Sequence, residues 1–420
     1  MVNLGLVGVF GIALARFVSV EDFGVYNYAV SAASFGSAIM VGGLMGLAIR
    51  EYHAHPRRAA AITGGILIVR EVLALAVYVM VVLVSVSAGD AAVVAATAVA
   101  GLAVLARVFD APELWFQSRL EAKTPALIRI AVGVAFFGAR IIVLWVYPSV
   151  VLLIVLFVLE QTIMASAILA SYVSRNPRGA RLDFDVKETL RLARMSLPLF
   201  FSSLANQVSL RGDIFILQAF SGAFAVGIYS AAVRVTEMLY ALPLAFMTAT
   251  FPRLLSAKVE ARDDVRNSYR EQVQRALDAS FWLGVLAIIA TYGLGEWVLV
   301  GLFGEAYRDS AATLRMLVLA APFVFMAAVV SKWIIAENRL WLSLGRHATG
   351  AILVVLLSVI LIPRMGQMGA AIATVAAYFC SSYLFAFASR YSRRLAFQMT
   401  LAIFAPARVI VGALRGRKNG

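Results

Sequence analysis

Charged residues are scarce in this sequence. Asp, Glu, Lys and Arg make up 14% of its 420 residues, whereas soluble proteins carry about 25%. Apolar residues account for 62%, and the mean hydropathy is +0.88. An ordinary soluble globular protein is therefore excluded, and the composition predicts a polytopic membrane protein.

Thiols and imidazoles are also few. The single cysteine, Cys380, allows no disulfide within the chain. The three histidines and this cysteine form no cluster with the spacing of metal ligands. We therefore expect neither a metal site nor a cofactor.

Long apolar runs are what the sequence has instead. They are about 20 residues long and lack period-two alternation, which predicts spanning helices rather than a barrel. The first run, Leu4 to Ala15, would cover only about 18 Å of a hydrocarbon layer about 30 Å thick, so we expect the true start to lie upstream. Twelve spans are predicted, at 1–18, 24–48, 59–86, 91–109, 126–147, 149–173, 195–220, 223–250, 274–302, 311–335, 341–362 and 366–389.

Basic residues are concentrated in alternate loops. The net charge is +14, and 29 of the 37 Lys and Arg residues fall in 50–58, 107–129, 175–194, 253–275, 332–346 and 390–420. By the positive-inside rule these segments are cytoplasmic, and so are both termini. The sequence has no basic cluster interleaved with aromatic residues that would indicate a nucleic-acid partner. The net positive charge is therefore explained by Lys and Arg in the cytoplasmic loops of a membrane protein.

The two halves of the chain resemble each other. Gly24-Val25-Tyr26-Asn27-Tyr28-Ala29-Val30 opens the second span, and Gly227-Ile228-Tyr229-Ser230-Ala231-Ala232-Val233 opens the eighth, 203 positions later. Arg50 and Arg253 close these spans at the same offset. A duplicated six-helix unit is a parallel repeat about an axis along the membrane normal, typical of transporters that alternate access by rocking.

The repeat predicts a domain organisation. We expect a six-helix bundle at 1–174, a basic cytoplasmic linker at 175–194, a second six-helix bundle at 195–389 and an amphipathic cytoplasmic tail at 390–420. A further membrane segment within the tail is the alternative. The predicted fold class is all-α, with twelve transmembrane helices in two bundles related by pseudo-two-fold symmetry.

Five stretches of the sequence form recognisable motifs: Ala15–Tyr26, Arg50–Glu51, Asp110–Gln117, Leu302–Tyr307 and Leu361–Thr374. They resemble those of Wzx-type polysaccharide flippases, in the multidrug/oligosaccharidyl-lipid/polysaccharide exporter superfamily. The Leu361–Thr374 run is the most specific, and Val18-Ser19-Val20 departs from the usual Leu-Gly-Pro. The resemblance implies transfer of undecaprenyl-diphosphate-linked oligosaccharides from the inner to the outer leaflet of the bacterial inner membrane.

Charged residues inside predicted spans are candidates for function, because each costs about 2.5–3.5 kcal/mol at the bilayer centre. Arg suits a diphosphate, since it stays charged and binds phosphate oxygens in a bidentate fork. The seventh span also has a polar face that includes Ser203 and Asn206. The predicted substrate-binding residues are Arg70, Arg140, Gln207, Arg211, Asp213, Arg234 and Glu237, and Glu160 and Asp213 are candidates for proton or sodium coupling.

These charges also have a structural interpretation, as ion pairs that hold helices together. Arg234 and Glu237 are three residues apart and can touch, whereas Arg140 has no acidic neighbour in its own helix. For Arg70 with Glu71 the two interpretations are equally balanced. The sequence leaves this choice open.

Three other functions are considered. A cation-coupled multidrug antiporter would favour carboxylates in its cavity, and here arginines equal them in number. Lipid II flippases usually have two additional helices. A polysaccharide polymerase would need a large external loop, and the chain has none, so we expect a transporter and not an enzyme. Such a polymerase remains a possible partner.

Overall fold

The computed structural model describes residues 2–42, 44–55, 58–87, 90–175, 185–259, 265–337 and 339–408. The described residues are helical apart from short connections, and none lies in a strand. Short 3-10 helices at Arg107–Asp110, Glu305–Tyr307 and Val318–Ala320, and a π-helix at Cys380–Leu384, join longer α-helices. These are α1 Val2–Phe17, α2 Val20–Gly42, α3 Met45–Ala54, α4 Ala59–Ser87, α5 Ala91–Ala106, α6 Glu113–Ser118, α7 Lys123–Val146, α8 Val150–Arg175, α9 Val186–Val259, α10 Val265–Phe303, α11 Ser310–Leu317, α12 Ala321–Ala336, α13 Leu340–Met365, α14 Gln367–Phe379, α15 Phe385–Ala388 and α16 Arg393–Ile403.

The helices have the length and apolarity of membrane spans. Among the described residues, nine helical segments are long and apolar enough to cross a bilayer. One of them, Leu199–Ala241, is 43 residues long and covers most of two predicted spans, 195–220 and 223–250. The short α1 and the more polar α2 bring the total to the predicted twelve. Many large apolar side chains are exposed, including Ile142, Trp145 and Trp297, as expected for a surface in contact with lipid. The predicted fold class is confirmed.

The long α9 is two helices in succession. Gly222 has φ 75° and ψ −179°, a conformation that only glycine adopts without strain. It separates a first arm, 186–221, from a second arm, 223–259. The break coincides with the predicted turn between the seventh and eighth spans.

The contacts of α2 with the second arm of α9 repeat the internal symmetry of the sequence. A Cβ on Gly24 would lie 1.9 Å from the carbonyl oxygen of Ala223, and a Cβ on Gly227 would lie 2.1 Å from that of Val20. Gly24 and Gly227 are separated by 203 positions, and so are their partners Val20 and Ala223. The duplicated glycines therefore let two equivalent helices cross reciprocally at backbone contact.

Contacts divide the chain into two units. The first comprises residues 1–230 and 302–307, and the second comprises 231–301 and 308–420. The division falls within the second arm of α9. Of the expected linker, 176–184 lies outside the described residues, as does 409–420 of the expected tail.

The described part of the tail packs on the second unit. In α16, Leu395, Ala396, Met399 and Ala402 are buried in the core cluster of that unit. The Trp282 indole in α10 donates to the Ala402 carbonyl at 3.1 Å. This part of the tail is thus integrated into the fold.

Candidate functional site

Arg140 and Glu160 form a buried ion pair between two spans of the first unit. The guanidinium, on α7, donates from Nη2 to the Glu160 carboxylate on α8, and both side chains are largely buried. The Phe10 ring of α1 lies 5.4 Å from the Arg140 Cζ atom. The structure therefore gives Arg140 a carboxylate from the next helix, which the sequence of its own helix could not reveal.

Arg70 belongs to a separate network, which joins the middle of α4 to the connection between α5 and α7. Its side chain is 1% exposed, and Nη1 donates to Asp110 at 2.7 Å. Arg107 and Arg129 approach the other oxygen of Asp110, at 3.4 and 3.7 Å. The neighbouring Glu71 is exposed, so Asp110, and not Glu71, is the partner of Arg70.

The Arg70 network and the Arg140 pair occupy two levels of the first unit. Arg129 reaches the network and Arg140 forms the other pair, and both lie on α7. Eleven residues separate them, which is about 16 Å along a helix. Arg70 and Arg140, which are both predicted substrate-binding residues, thus lie in different charged clusters.

Asp213 is a buried acceptor in the first arm of α9. It accepts hydrogen bonds from the Tyr229 hydroxyl and, at 2.9 Å, from the amide of Ile214. In the first repeat, the positions 203 residues earlier are Phe10 and Tyr26, whose rings pack edge to face with centroids 5.8 Å apart. The second repeat thus places a carboxylate where the first has a phenyl ring.

The other predicted site residues are less enclosed. Gln207 and Arg211 are half-buried on the first arm of α9. On the same polar face, the Ser203 hydroxyl donates to the Ala38 carbonyl of α2 at 3.1 Å. Arg234 and Glu237, also half-buried, belong to the second unit.

A further ion pair lies outside the spans, where α3 meets the start of α9. Arg191 donates to Glu51, which is 4% exposed, and to Glu188. Burial alone would raise the pKa of Glu51, but its hydrogen bonds and charge interactions with Arg191 and Arg50 lower it overall. Glu51 therefore stays ionised and joins two elements 140 positions apart.

The sequence analysis missed one buried cation. It counted Arg346 among the basic residues of the cytoplasmic segment 332–346, although the predicted span 341–362 also includes this position and Arg346 was not considered as a charge within that span. The structure places it within α13, where it is 9% exposed. The sequence signal that could have revealed its burial is the mainly apolar stretch on either side of it, Leu340–Leu344 and Ala348–Ile352. The described residues contain no group of three His, Cys, Asp or Glu side chains that could hold a metal.

Comparisons with known proteins identify a family, a curated relative and two structures with a similar fold. A family model described as "Polysaccharide biosynthesis protein" matches residues 1–258. A curated protein of Haloferax volcanii, named "Probable flippase AglR", is 28% identical over 166 residues. That match covers 39% of this chain and only 34% of the relative, so about a third of the relative's length is spanned.

Two solved structures share the fold over nearly the whole chain. A lipid II flippase, MurJ, in an inward closed conformation has a TM-score of 0.77 at 14% identity, covering 98% of this chain and 95% of its own. An inward-facing multidrug resistance MATE family transporter of the MOP superfamily has a TM-score of 0.70 at 15% identity, with 95% of each chain covered. At these identities the likeness concerns the fold alone.

Proposed function

Because this chain belongs to the polysaccharide biosynthesis protein family, we propose that it is a flippase for lipid-linked oligosaccharides. The substrate would be a repeat unit carried on a polyprenyl diphosphate such as undecaprenyl diphosphate, moved from the inner to the outer leaflet. The observation that carries the proposal is the set of arginines held within apolar helices of a chain from this family. The partial match to a protein named as a probable flippase supports it.

The proposal places the chain in the bacterial inner membrane with both termini in the cytoplasm. The concentration of Lys and Arg in alternate loops supports this orientation. The duplicated helices support a mechanism in which the two six-helix repeats rock about the substrate, with access alternating between the two leaflets. The linker near 175–194 would connect the moving halves.

Arg140 is well suited to receive the diphosphate. Its guanidinium is already desolvated and held by Glu160 and the Phe10 ring. A diphosphate carries more negative charge than one carboxylate and accepts bidentate hydrogen bonds, so it would compete with Glu160 for Arg140. Arg211, with Gln207 beside it on the first arm of α9, would contact further phosphate or sugar oxygens.

Displacement of Glu160 supplies a route to ion coupling. A carboxylate that loses its cation in an apolar site binds a proton or sodium ion more readily, because burial disfavours its free charge. Asp213, held by Tyr229, is the second candidate for this role. Substrate binding at Arg140 and ion uptake at Glu160 would then be linked.

The same pairing argues against a cationic drug as the substrate. The carboxylates of Glu160 and Asp110 are both engaged by guanidinium groups in the first unit. An antiporter for cations would instead need a carboxylate accessible to its substrate. A polymerase would need a catalytic loop outside the spans, so we propose a transporter with no enzymatic activity.

Complementation tests the proposed role. We expect Arg140→Ala and Arg211→Ala to abolish surface polysaccharide in a flippase-deficient strain while both proteins accumulate normally in the membrane. Arg275→Ala is the matched control, because this arginine is exposed and, among the described residues, its ion-pair partner is Glu271 of its own helix. Surface polysaccharide at control levels in both variants would contradict the proposed binding site.

A further inference from the structure

The Arg129 network of the first unit has a counterpart in the second unit. Trp115 and Trp333 lie 218 positions apart, as do Glu113 and Ser331. Arg129 follows on α7 and Arg346 follows on α13, 217 positions apart. Each arginine contacts the residue two positions before the tryptophan, since Arg129 binds Glu113 and Arg346 binds Ser331.

The two counterparts differ in charge. Arg129 contacts the carboxylates of Glu113 and Asp110. In the second unit, Ser331 replaces Glu113, and Ala328 stands at the position of Asp110. Among the residues that the structure describes, no carboxylate lies within salt-bridge distance of Arg346. The second repeat thus keeps the cation, buries it more deeply than the half-buried Arg129, and lacks both counter-charges.

The guanidinium of Arg346 also has unused hydrogen-bonding capacity. Nη2 donates to the Ser331 hydroxyl at 2.9 Å and lies 3.4 Å from His347 Nε2, and Nη1 has only a long contact of 3.4 Å to the Ala327 carbonyl. The buried Nε has no hydrogen-bond partner. Burying a charge is costly unless it is paired, so this environment favours an added anion.

A small, partly open cavity lies beside this guanidinium. Its volume is about 10 Å³, room for one water-sized atom. Hydroxyl groups line it together with Trp333 on α12, and two of them lie in the π-helix that follows α14. Such π-helical turns occur frequently at functional sites. The hydroxyl residues are Ser381, Ser382 and Ser392.

We propose that Arg346 binds a phosphate group, with one oxygen in this cavity and the rest of the group at its open side. The phosphate would supply the negative charge that Glu113 and Asp110 supply in the first unit. The hydroxyls of Ser381 and Ser382 would donate to it, whereas the Ser392 hydroxyl already donates to the Ala386 carbonyl. This site lies wholly within the second unit and does not depend on the proposed flippase substrate. An anionic lipid headgroup and free phosphate share the required chemistry, and basic pockets between membrane helices are known to bind such headgroups.

Thermal unfolding of the purified full-length protein in detergent tests the site. The probes are dioleoylphosphatidylglycerol, inorganic phosphate and, as a lipid without phosphate, dioleoylglycerol. We expect phosphatidylglycerol or phosphate to raise the Tm of the wild type by about 3 °C or more at saturation. A rise with phosphatidylglycerol alone identifies a lipid headgroup as the source, whereas a rise with both shows that the phosphate group suffices.

Two variants remove the site in different ways. Arg346→Gln deletes the cation, and Ser331→Glu installs the carboxylate that the first unit has at this position. Both should lose the ligand-dependent rise, and Ser331→Glu should melt without ligand at or above the wild-type temperature. Arg339→Gln is the matched control, because it removes an exposed arginine near the same helix end and should keep the full rise.

The proposal is overturned if neither probe raises the Tm of the wild type. It is also overturned if Ser331→Glu and Arg346→Gln respond as strongly as the wild type, or if dioleoylglycerol gives the same rise. Native mass spectrometry of the wild type is an independent check that needs no variant. It should show one retained phosphatidylglycerol or phosphate per chain, and a spectrum of the bare chain alone in the presence of both probes would contradict the site.

Discussion

At the residue scale, buried charges occur in two settings. Arg70 and Arg140 are each paired with a carboxylate in the first unit, Asp110 and Glu160 respectively. Arg346 instead has a hydroxyl, a carbonyl and an imidazole nitrogen as its partners. Breaking a buried ion pair by removing one partner costs about 3–5 kcal/mol, because the remaining charge stays desolvated. A loss of activity in a variant that lacks one partner could therefore result from weaker substrate binding or from lower stability.

Exchanging the two charges separates these effects at Arg140. We expect Glu160→Ala to lower the Tm of the purified protein, and the double variant Arg140→Glu with Glu160→Arg to recover most of that loss, since an ion pair is re-formed. Polysaccharide export should not recover, because the cation then projects from α8 instead of α7. If the double variant restores both Tm and export, the pair is only a structural link between α7 and α8.

At the element scale, the crossing of α2 with the second arm of α9 depends on small residues. The duplicated Gly24 and Gly227 each face a backbone carbonyl of the other helix. Any side chain there must push the helices apart, because a carbonyl fixed in a helix cannot move aside as a flexible side chain can. The sequence showed the duplication, and the structure shows its physical reason.

Alanine substitutions test this crossing. Gly24→Ala and Gly227→Ala should each reduce the amount of folded protein and lower its Tm, since the new Cβ atoms would lie 1.9 and 2.1 Å from carbonyl oxygens. Gly138→Ala is the control, because a Cβ there meets nothing within 4 Å and alanine favours a helix over glycine by about 0.5–1 kcal/mol. Equal Tm values for all three variants would contradict the close crossing.

At the scale of the whole molecule, the fold could be predicted largely from the sequence. Apolar run length and loop charge are local signals that predict the helices, and the glycine between the seventh and eighth predicted spans is a local signal for the break at Gly222. The partners of buried charges could not be predicted in the same way. Arg140 donates a hydrogen bond to Glu160 on the next helix, and Arg70 donates one to Asp110, forty positions away. Such pairings depend on how the helices pack.

Arg346 illustrates a second limit of sequence reasoning. An arginine near the start of a span looks like part of the basic loop, because Lys332 and Arg339 precede it in the chain. Only its burial in α13, and the absence of counterparts to Glu113 and Asp110, distinguish it from a solvated loop charge. The repeat was detectable from the glycine motif, but the charge difference between its copies becomes visible once contacts define equivalent positions.

The most direct test of the central claim is a flipping assay with the purified protein in sealed vesicles. A polyprenyl-diphosphate-linked oligosaccharide is placed in both leaflets, and an impermeant glycosidase is added outside. We predict that the wild type exposes substrate beyond the outer-leaflet share, while Arg140→Ala vesicles match protein-free ones. Digestion by wild-type vesicles that stops at the outer-leaflet share, in a preparation that is folded by its Tm, would contradict the assignment as a flippase for this substrate class.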